Sequence, residues 1–121
     1  MPDYQINLDD KFGSLALIDV GAEAAAVADE WVNQTLTTVN DSVVRLGVIE
    51  GEFHWHEHER EDEFFLVLDG ELEIEVEGRE PFVLGPQQGV TIPRGVRHRP
   101  IAAKRTVILM VEPATVKPTG D

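Results

Sequence analysis

What most limits the folds open to this chain is the shortness of its apolar runs. Segments rich in Val, Ile, Leu and Phe recur at close spacing between Gly, Pro and Asp-Gly signals, the pattern of an all-β sandwich or barrel. The clearest strand is Glu71-Leu72-Glu73-Ile74-Glu75-Val76-Glu77. Side chains alternate across a strand, so Leu72, Ile74 and Val76 share a buried face and the glutamates stand in water, a solvated face rather than a cation site. Phe64 to Leu68 is a nearly continuous apolar run, and Asp69-Gly70 supplies the positive-φ residues of a tight turn, so the two flanking strands are expected to pair. Further strands are expected at Val32 to Val39, Val43 to Ile49, Phe53 to His56, Pro81 to Leu84, Val90 to Ile92, Val96 to Arg99 and Thr106 to Glu112, enough for a closed or nearly closed barrel. The one helical stretch, Ala22 to Glu30, is too short to stand alone. The tail from Pro113 to Asp121, with Pro113, Pro118 and Gly120, is unsuited to a central strand and reads as a surface strap or a disordered end.

A chain of 121 residues, 42% of them hydrophobic, is expected to form one domain, 1–121, with a continuous core. There is no cysteine, which removes disulfides, thiolate metal sites and cysteine nucleophiles, so any metal must be held by nitrogen and oxygen. The start, Met1-Pro2-Asp3-Tyr4-Gln5, lacks the basic and apolar regions of a signal peptide, and no apolar run has the length of a membrane helix; a cytoplasmic protein is expected. A formal charge of −13 repels phosphate backbones and anionic lipid, so neither nucleic acid nor membrane is an expected partner. Arg94, Arg97, Arg99, Lys104 and Arg105 concentrate basic charge in one segment, read as cross-strand pairing with an acidic body in preference to an anionic-substrate site.

The chemistry concentrates elsewhere. Three of the four histidines lie in His54-Trp55-His56-Glu57-His58, with Glu59, Glu61, Asp62 and Glu63 after them, and His98 follows forty residues on. Residues two apart on a strand project to one face, so His56 and His58 can point into a barrel together; His54 shares that parity and is not excluded by it. Glu63 opens the next strand, and a distant strand would bring in His98.

These residues resemble the cupin superfamily. Its first motif places His-x-His, three or four residues, Glu, six residues, then Gly, and His56-x-His58, Glu63 and Gly70 fit, with Gly51 one residue closer to His56 than the pattern asks. Its second motif centres on Pro-x-Gly, two residues, then His, matched by Pro93-Arg94-Gly95-Val96-Arg97-His98. Gln87 stands where that motif has a glycine, between Gly85 and Gly89, so the turn before Val90 is open to a different shape; Ala102 replaces its final asparagine. The motif core spans 51–98. Asn7-Leu8, Asp10-Lys11-Phe12, Val39-Asn40-Asp41, Trp55-His56, His98-Arg99-Pro100 and Glu112-Pro113 further resemble the small bacterial cupins labelled mannose-6-phosphate-isomerase-like, a label that does not establish that activity. The resemblance implies an all-β jelly-roll (double-stranded β-helix) barrel, one divalent metal ion on His56, His58, Glu63 and His98, and a homodimer.

Four nitrogen and oxygen ligands leave one or two open positions on a five- or six-coordinate ion, which suits chemistry on a bound small molecule. Mn, Fe, Ni and Zn are the expected metals, without a ranking. His54 is a candidate outer-shell base and Trp55 and Phe65 candidate cavity walls, but a rim position accounts for His54 equally well and Phe65 is first of all a core or wall residue; Arg94 and Arg97 read as surface residues. Two function classes follow. One is a metal-dependent enzyme acting on a small polar molecule, sugar-like or carboxylated, by isomerisation, epimerisation or dioxygenation. The other is a metal-containing ligand-binding or sensing module without turnover.

Overall fold

A computed structural model describes residues 4–121; Met1, Pro2 and Asp3, part of the start that argued against a leader, lie outside the described residues. In chain order the elements are β1 (Gln5–Asn7), α1 (Val20–Ala25), β2 (Trp31–Val39), β3 (Ser42–Glu52), β4 (Glu63–Asp69), β5 (Leu72–Val76), β6 (Phe82–Leu84), β7 (Gly89–Ile92) and β8 (His98–Pro113). The fold is the jelly-roll barrel. β1 runs parallel to β2, β2 pairs antiparallel with β3, and β3 with β8. Among the described residues no helix is long and apolar enough to cross a membrane, which says nothing about strands.

β8 organises the barrel. Its first part, His98 to Ile101, pairs with β5, and Val107 to Val111 pairs with β4. The expected β4–β5 hairpin does not form: β4 takes β7 and β8 as partners, β5 takes β6 and β8. Gly70, at φ 92°, turns the chain from one part of β8 to the other. A Cβ there would lie 2.6 Å from Thr106 Oγ1 and 2.9 Å from Arg105 O, so glycine is required by close approach as well as by φ. Thr106, fully buried, donates to Glu71 O at 3.0 Å and holds the crossing in place. The two strands expected at 96–99 and 106–112 are one continuous strand.

Alternation selects the core as expected: Leu72, Ile74 and Val76 join Trp31, Ile49, Phe53, Phe65, Val67, Ile108 and Met110 inside the barrel. A second cluster, Ala24, Leu36, Leu46, Val48 and Val107, lies beneath α1 and the segment around Phe12 and Ile18. β3 is therefore buried on two sides over Arg45 to Ile49. α1 is shorter than the Ala22–Glu30 expectation and starts earlier, because Asp19 caps it by accepting from Ala22 N at 2.9 Å. It ends at Ala25, ahead of the entry into β2 at Trp31. Phe53 to His56 forms no strand; His56 makes a single antiparallel bridge to His98. Gln87 occupies the motif's glycine position at φ 68°, so the turn keeps its left-handed backbone with a side chain bearing the strain.

Candidate metal centre

His56 and His58 come from the extended segment between β3 and β4, Glu63 opens β4 and His98 opens β8. Although the segment is not a strand, the His56–His98 bridge, with N–H···O contacts of 3.0 and 2.9 Å, sets it against β8 and brings the two rings to 4.4 Å. All four side chains are buried, and one ligand atom from each lies within 4.8 Å of the others. Glu63 Oε1 is 3.3 Å from His98 Nε2 and 3.5 Å from His58 Nε2. Donor atoms bonded to one ion at about 2.0–2.2 Å sit roughly 3–4 Å from each other, and these spacings match.

The histidines are oriented for that task. His56 Nδ1 meets His54 O at 3.0 Å and His98 Nδ1 meets Val96 O at 2.9 Å. Each ring then holds its proton on Nδ1 and turns a Nε2 lone pair inward, the usual arrangement of a ligating histidine. His58 is 2% exposed and neither of its ring nitrogens has a hydrogen-bond partner among the described residues. A bound cation would satisfy its Nε2, so the donor set fits a metal ion. On its other side, His58 sits with Glu61 and Asp121, whose carboxylate oxygens fall within the same 4.8 Å radius.

Burial lowers the His56 pKa to about 4, aided by the neighbouring His98 and His58, so this imidazole is neutral at pH 7. Burial also acts downward on His58, but the carboxylate of Glu63 3.5 Å away, with the charges of Asp121 and Glu61, outweighs it and raises the pKa. Glu63 is pushed up by burial and further down by His58 and His98, and stays ionised.

A second buried carboxyl, Glu112, is close enough to Glu63 for their charges to act on one another. Arg45, also buried, contacts Glu112 Oε2 at 2.5 Å, donates Nε–H to Thr35 Oγ1 at 2.9 Å and Nη1–H to Val116 O at 3.1 Å. Arg45 thus pairs with Glu112, the second of the two buried carboxyl groups. Burial and the negative charge of Glu63 raise the Glu112 pKa, against the pull of Arg45. Glu112 Oε1 has no hydrogen-bond partner among the described residues, and a proton there would remove the like-charge repulsion with Glu63. Arg45 and Glu112 were not singled out in the sequence, although each breaks its strand's alternation by standing at an inward position.

The tail straps over this site. Val116 is buried, Thr119 O lies 2.7 Å from His54 Nε2, Asp121 N donates to Glu57 O at 3.1 Å and Asp121 Oδ2 accepts from Glu59 N at 2.7 Å. Gly120 packs so closely that a Cβ would lie 2.6 Å from His56 Cβ. Beside His56 and Glu63 opens a narrow cavity of about 40 Å³, walled by Trp31, Ile49, Phe53, Phe65, Ile108 and Met110, with Pro118 of the strap at its margin.

The remaining candidates fall outside the four-residue cluster. His54 is an exposed rim residue bonded to the strap, and Phe65 is both core and cavity wall. Trp55 lies under Arg97 and Arg99 at 5.8 and 5.3 Å, away from the cavity. The basic segment is largely paired: Arg99 with Glu75 at 2.7 Å, Arg97 with Glu77 at 3.7 Å, Arg105 with Ala24 O at 2.7 Å.

Comparison with known proteins agrees with this architecture. Residues 42–112 match the family model for the cupin domain. The uncharacterized protein YdbB of Bacillus subtilis (strain 168) is 43% identical over 91 residues, covering 75% of this chain and 80% of that protein. A cupin-2 domain containing protein from Shewanella frigidimarina NCIMB 400 superposes with a TM-score of 0.76 at 32% identity, over 80% of this chain and 94% of the other. Hydroquinone 1,2-dioxygenase from Sphingomonas sp. TTNP3 shares the fold, with a TM-score of 0.75 at 19% identity over 84% of this chain and 33% of its own. Motif spacing, barrel topology and these relatives together make this chain a member of the cupin family.

Proposed function

We propose that the chain is a metal-dependent enzyme in which His56, His58, Glu63 and His98 hold one divalent ion, Mn, Fe, Ni or Zn, at the inner end of the apolar cavity. The observation that carries this reading is His58: a 98%-buried imidazole whose two nitrogens lack hydrogen-bond partners, aimed into a set of matching donors. Burying such a ring unsatisfied costs about 1–3 kcal/mol, which a cation offsets. When bound, the ion supplies Lewis acidity at its open positions and, if redox-active, a site for dioxygen.

The residues around it then have separable tasks. His56 and His98, anchored through Nδ1 to backbone carbonyls, hold their lone pairs in place. Glu63 contributes the negative charge, with the buried Glu112–Arg45 pair in the core near it. Among the described residues that line the cavity, His56 and Glu63 are the only acid–base side chains and both belong to the donor set; Asn33 and the indole N–H of Trp31 are the other polar groups. Isomerisation and epimerisation need a positioned proton acceptor, so the lining favours dioxygenation over both. It equally supports the second reading, a binding or sensing module without turnover. Oxygen uptake by the iron-loaded protein with candidate small molecules separates them: consumption dependent on His98 supports the enzyme, and none with any ligand that binds supports the module. The family resemblance adds a homodimer to the proposal; a mass of 13.5 kDa in light scattering contradicts it.

A further inference from the structure

The wall of the cavity identifies the chemistry of its occupant. On one side Trp31 and Phe53 stack with ring centroids 5.2 Å apart and planes 15° from parallel, backed by Tyr4 at 4.8 Å from Phe53. On the other, Ile108 and Met110 fill the wall. Gly47 makes room for them, since a Cβ there would lie 2.7 Å from Ile108 Cγ1 and 3.3 Å from Met110 Cε. Hydrocarbon and aromatic rings therefore form most of the surface an occupant would touch.

Polar groups are few and specifically placed. Apart from His56 and Glu63, polar side-chain atoms among the described lining residues come from Asn33 and from the indole N–H of Trp31, and the buried Asn33 Oδ1 has no hydrogen-bond partner among the described residues. Asn33 faces inward from β2, opposite Gly47, on the same parity as Trp31. Among the described residues, no lysine or arginine lines the cavity. Arg45, the buried cation, is committed to Glu112, Thr35 and Val116, and Arg97 and Arg99 are turned to acidic partners and Trp55 outside. A phosphate or carboxylate lying away from the ion would be buried without a counter-charge, a cost of several kcal/mol. A sugar-like body would strip its several hydroxyls of water against a wall that offers one amide and one indole N–H in return.

We infer that the ligand is a small uncharged molecule with an apolar, ring-sized body, one oxygen for the ion and a hydroxyl that bonds Asn33, as in a hydroxylated aromatic ring. The hydroxyl follows from the amide, which accepts through Oδ1 as placed and donates through Nδ2 if rotated; a hydroxyl serves either way. This assignment rests on the metal reading above and replaces the sugar-like or carboxylated substrate expected from sequence.

The test is calorimetric titration of zinc-loaded protein with two probes, 4-(hydroxymethyl)phenol and mannose 6-phosphate, after metal content has been measured. The phenol should bind at least about tenfold more tightly, given the cost of an unpaired buried anion. Asn33→Val, which keeps β propensity, should weaken the phenol about fivefold, the worth of one hydrogen bond, with an unchanged circular-dichroism melt. Preference for mannose 6-phosphate, or no heat from the phenol at millimolar concentration, overturns the ligand class and leaves the metal reading standing. Unchanged affinity in Asn33→Val overturns the part given to Asn33. Protein that takes up no zinc overturns the metal reading and this inference with it.

Discussion

Gly120→Ala probes how the strap seals the metal centre. Gly120 sits at φ 94°, and an alanine there pays about 1–2 kcal/mol for left-handed backbone before any contact is counted. Its Cβ would also meet His56 Cβ at 2.6 Å, so either the histidine or the strap must move. His56 is fixed by two backbone bonds to His98 and by its ring contact to His54 O. The strap beyond Lys117 is held by three contacts at the solvent edge, to His54, Glu57 and Glu59, while buried Val116 pins it upstream. The strap is therefore what yields, and opening of its last residues should rise about 5- to 30-fold, the factor for 1–2 kcal/mol. The assay is the rate at which a coloured chelator extracts zinc from loaded protein. Gly120→Ala should accelerate extraction by that factor while the far-ultraviolet circular dichroism stays the same. An extraction rate equal to wild type in the folded variant refutes the idea that the strap covers the site.

Gln87→Gly relieves a side chain held at φ 68° while keeping the Gln87 N to Val67 O bond, and should stabilise by about 0.5–1 kcal/mol in urea unfolding; a loss of stability contradicts the strain assigned to that turn. Arg45→Met leaves Glu112 buried beside Glu63 without a cation and should cost about 3 kcal/mol, the low end for a broken buried pair because Glu112 can take up a proton. Arg45→Met/Glu112→Leu should recover most of that, and a double variant no more stable than the single contradicts the pairing. Metal uptake near neutral pH should release protons. His58 holds its proton to higher pH than a free imidazole and must lose it to ligate, so affinity rises with pH through that titration, while His56, lowered to about 4, releases none. Calorimetry in buffers of different ionisation heat checks this, and an uptake heat independent of buffer contradicts it.

Most strands and the residues of the four-membered cluster were legible because each rests on local periodicity or fixed spacing: Leu72, Ile74 and Val76 alternate, and His56, His58 and Glu63 lie within one short segment. Pairing was less legible. Asp69-Gly70 has the composition of a hairpin, but its strands find partners in β8, whose continuity through Ala103, Lys104 and Arg105 no alternation reveals. Glycine at 70 is demanded by contact with Thr106, a long-range fact. Arg45 and Glu112 break the inward pattern of their strands, yet nothing local says that they meet each other. The strap was half legible: its prolines exclude a central strand, but its seat against His54, His56 and Glu57 depends on the folded barrel. The polar substrate expectation came from the ligand residues, and only the assembled wall, with Trp31, Phe53, Ile108 and Met110 brought together from distant strands, argues for an apolar one.

The central claim is that His56, His58, Glu63 and His98 bind one divalent ion. Elemental analysis of protein purified without a metal-affinity column, with His56→Ala and His98→Ala alongside, tests it most directly. The account predicts about one equivalent per chain in the wild type and almost none in either variant, since second-sphere changes alone cost 10- to 100-fold in affinity and these remove a donor outright. Wild-type protein that stays metal-free after reconstitution, or folded variants that retain full occupancy, would contradict it.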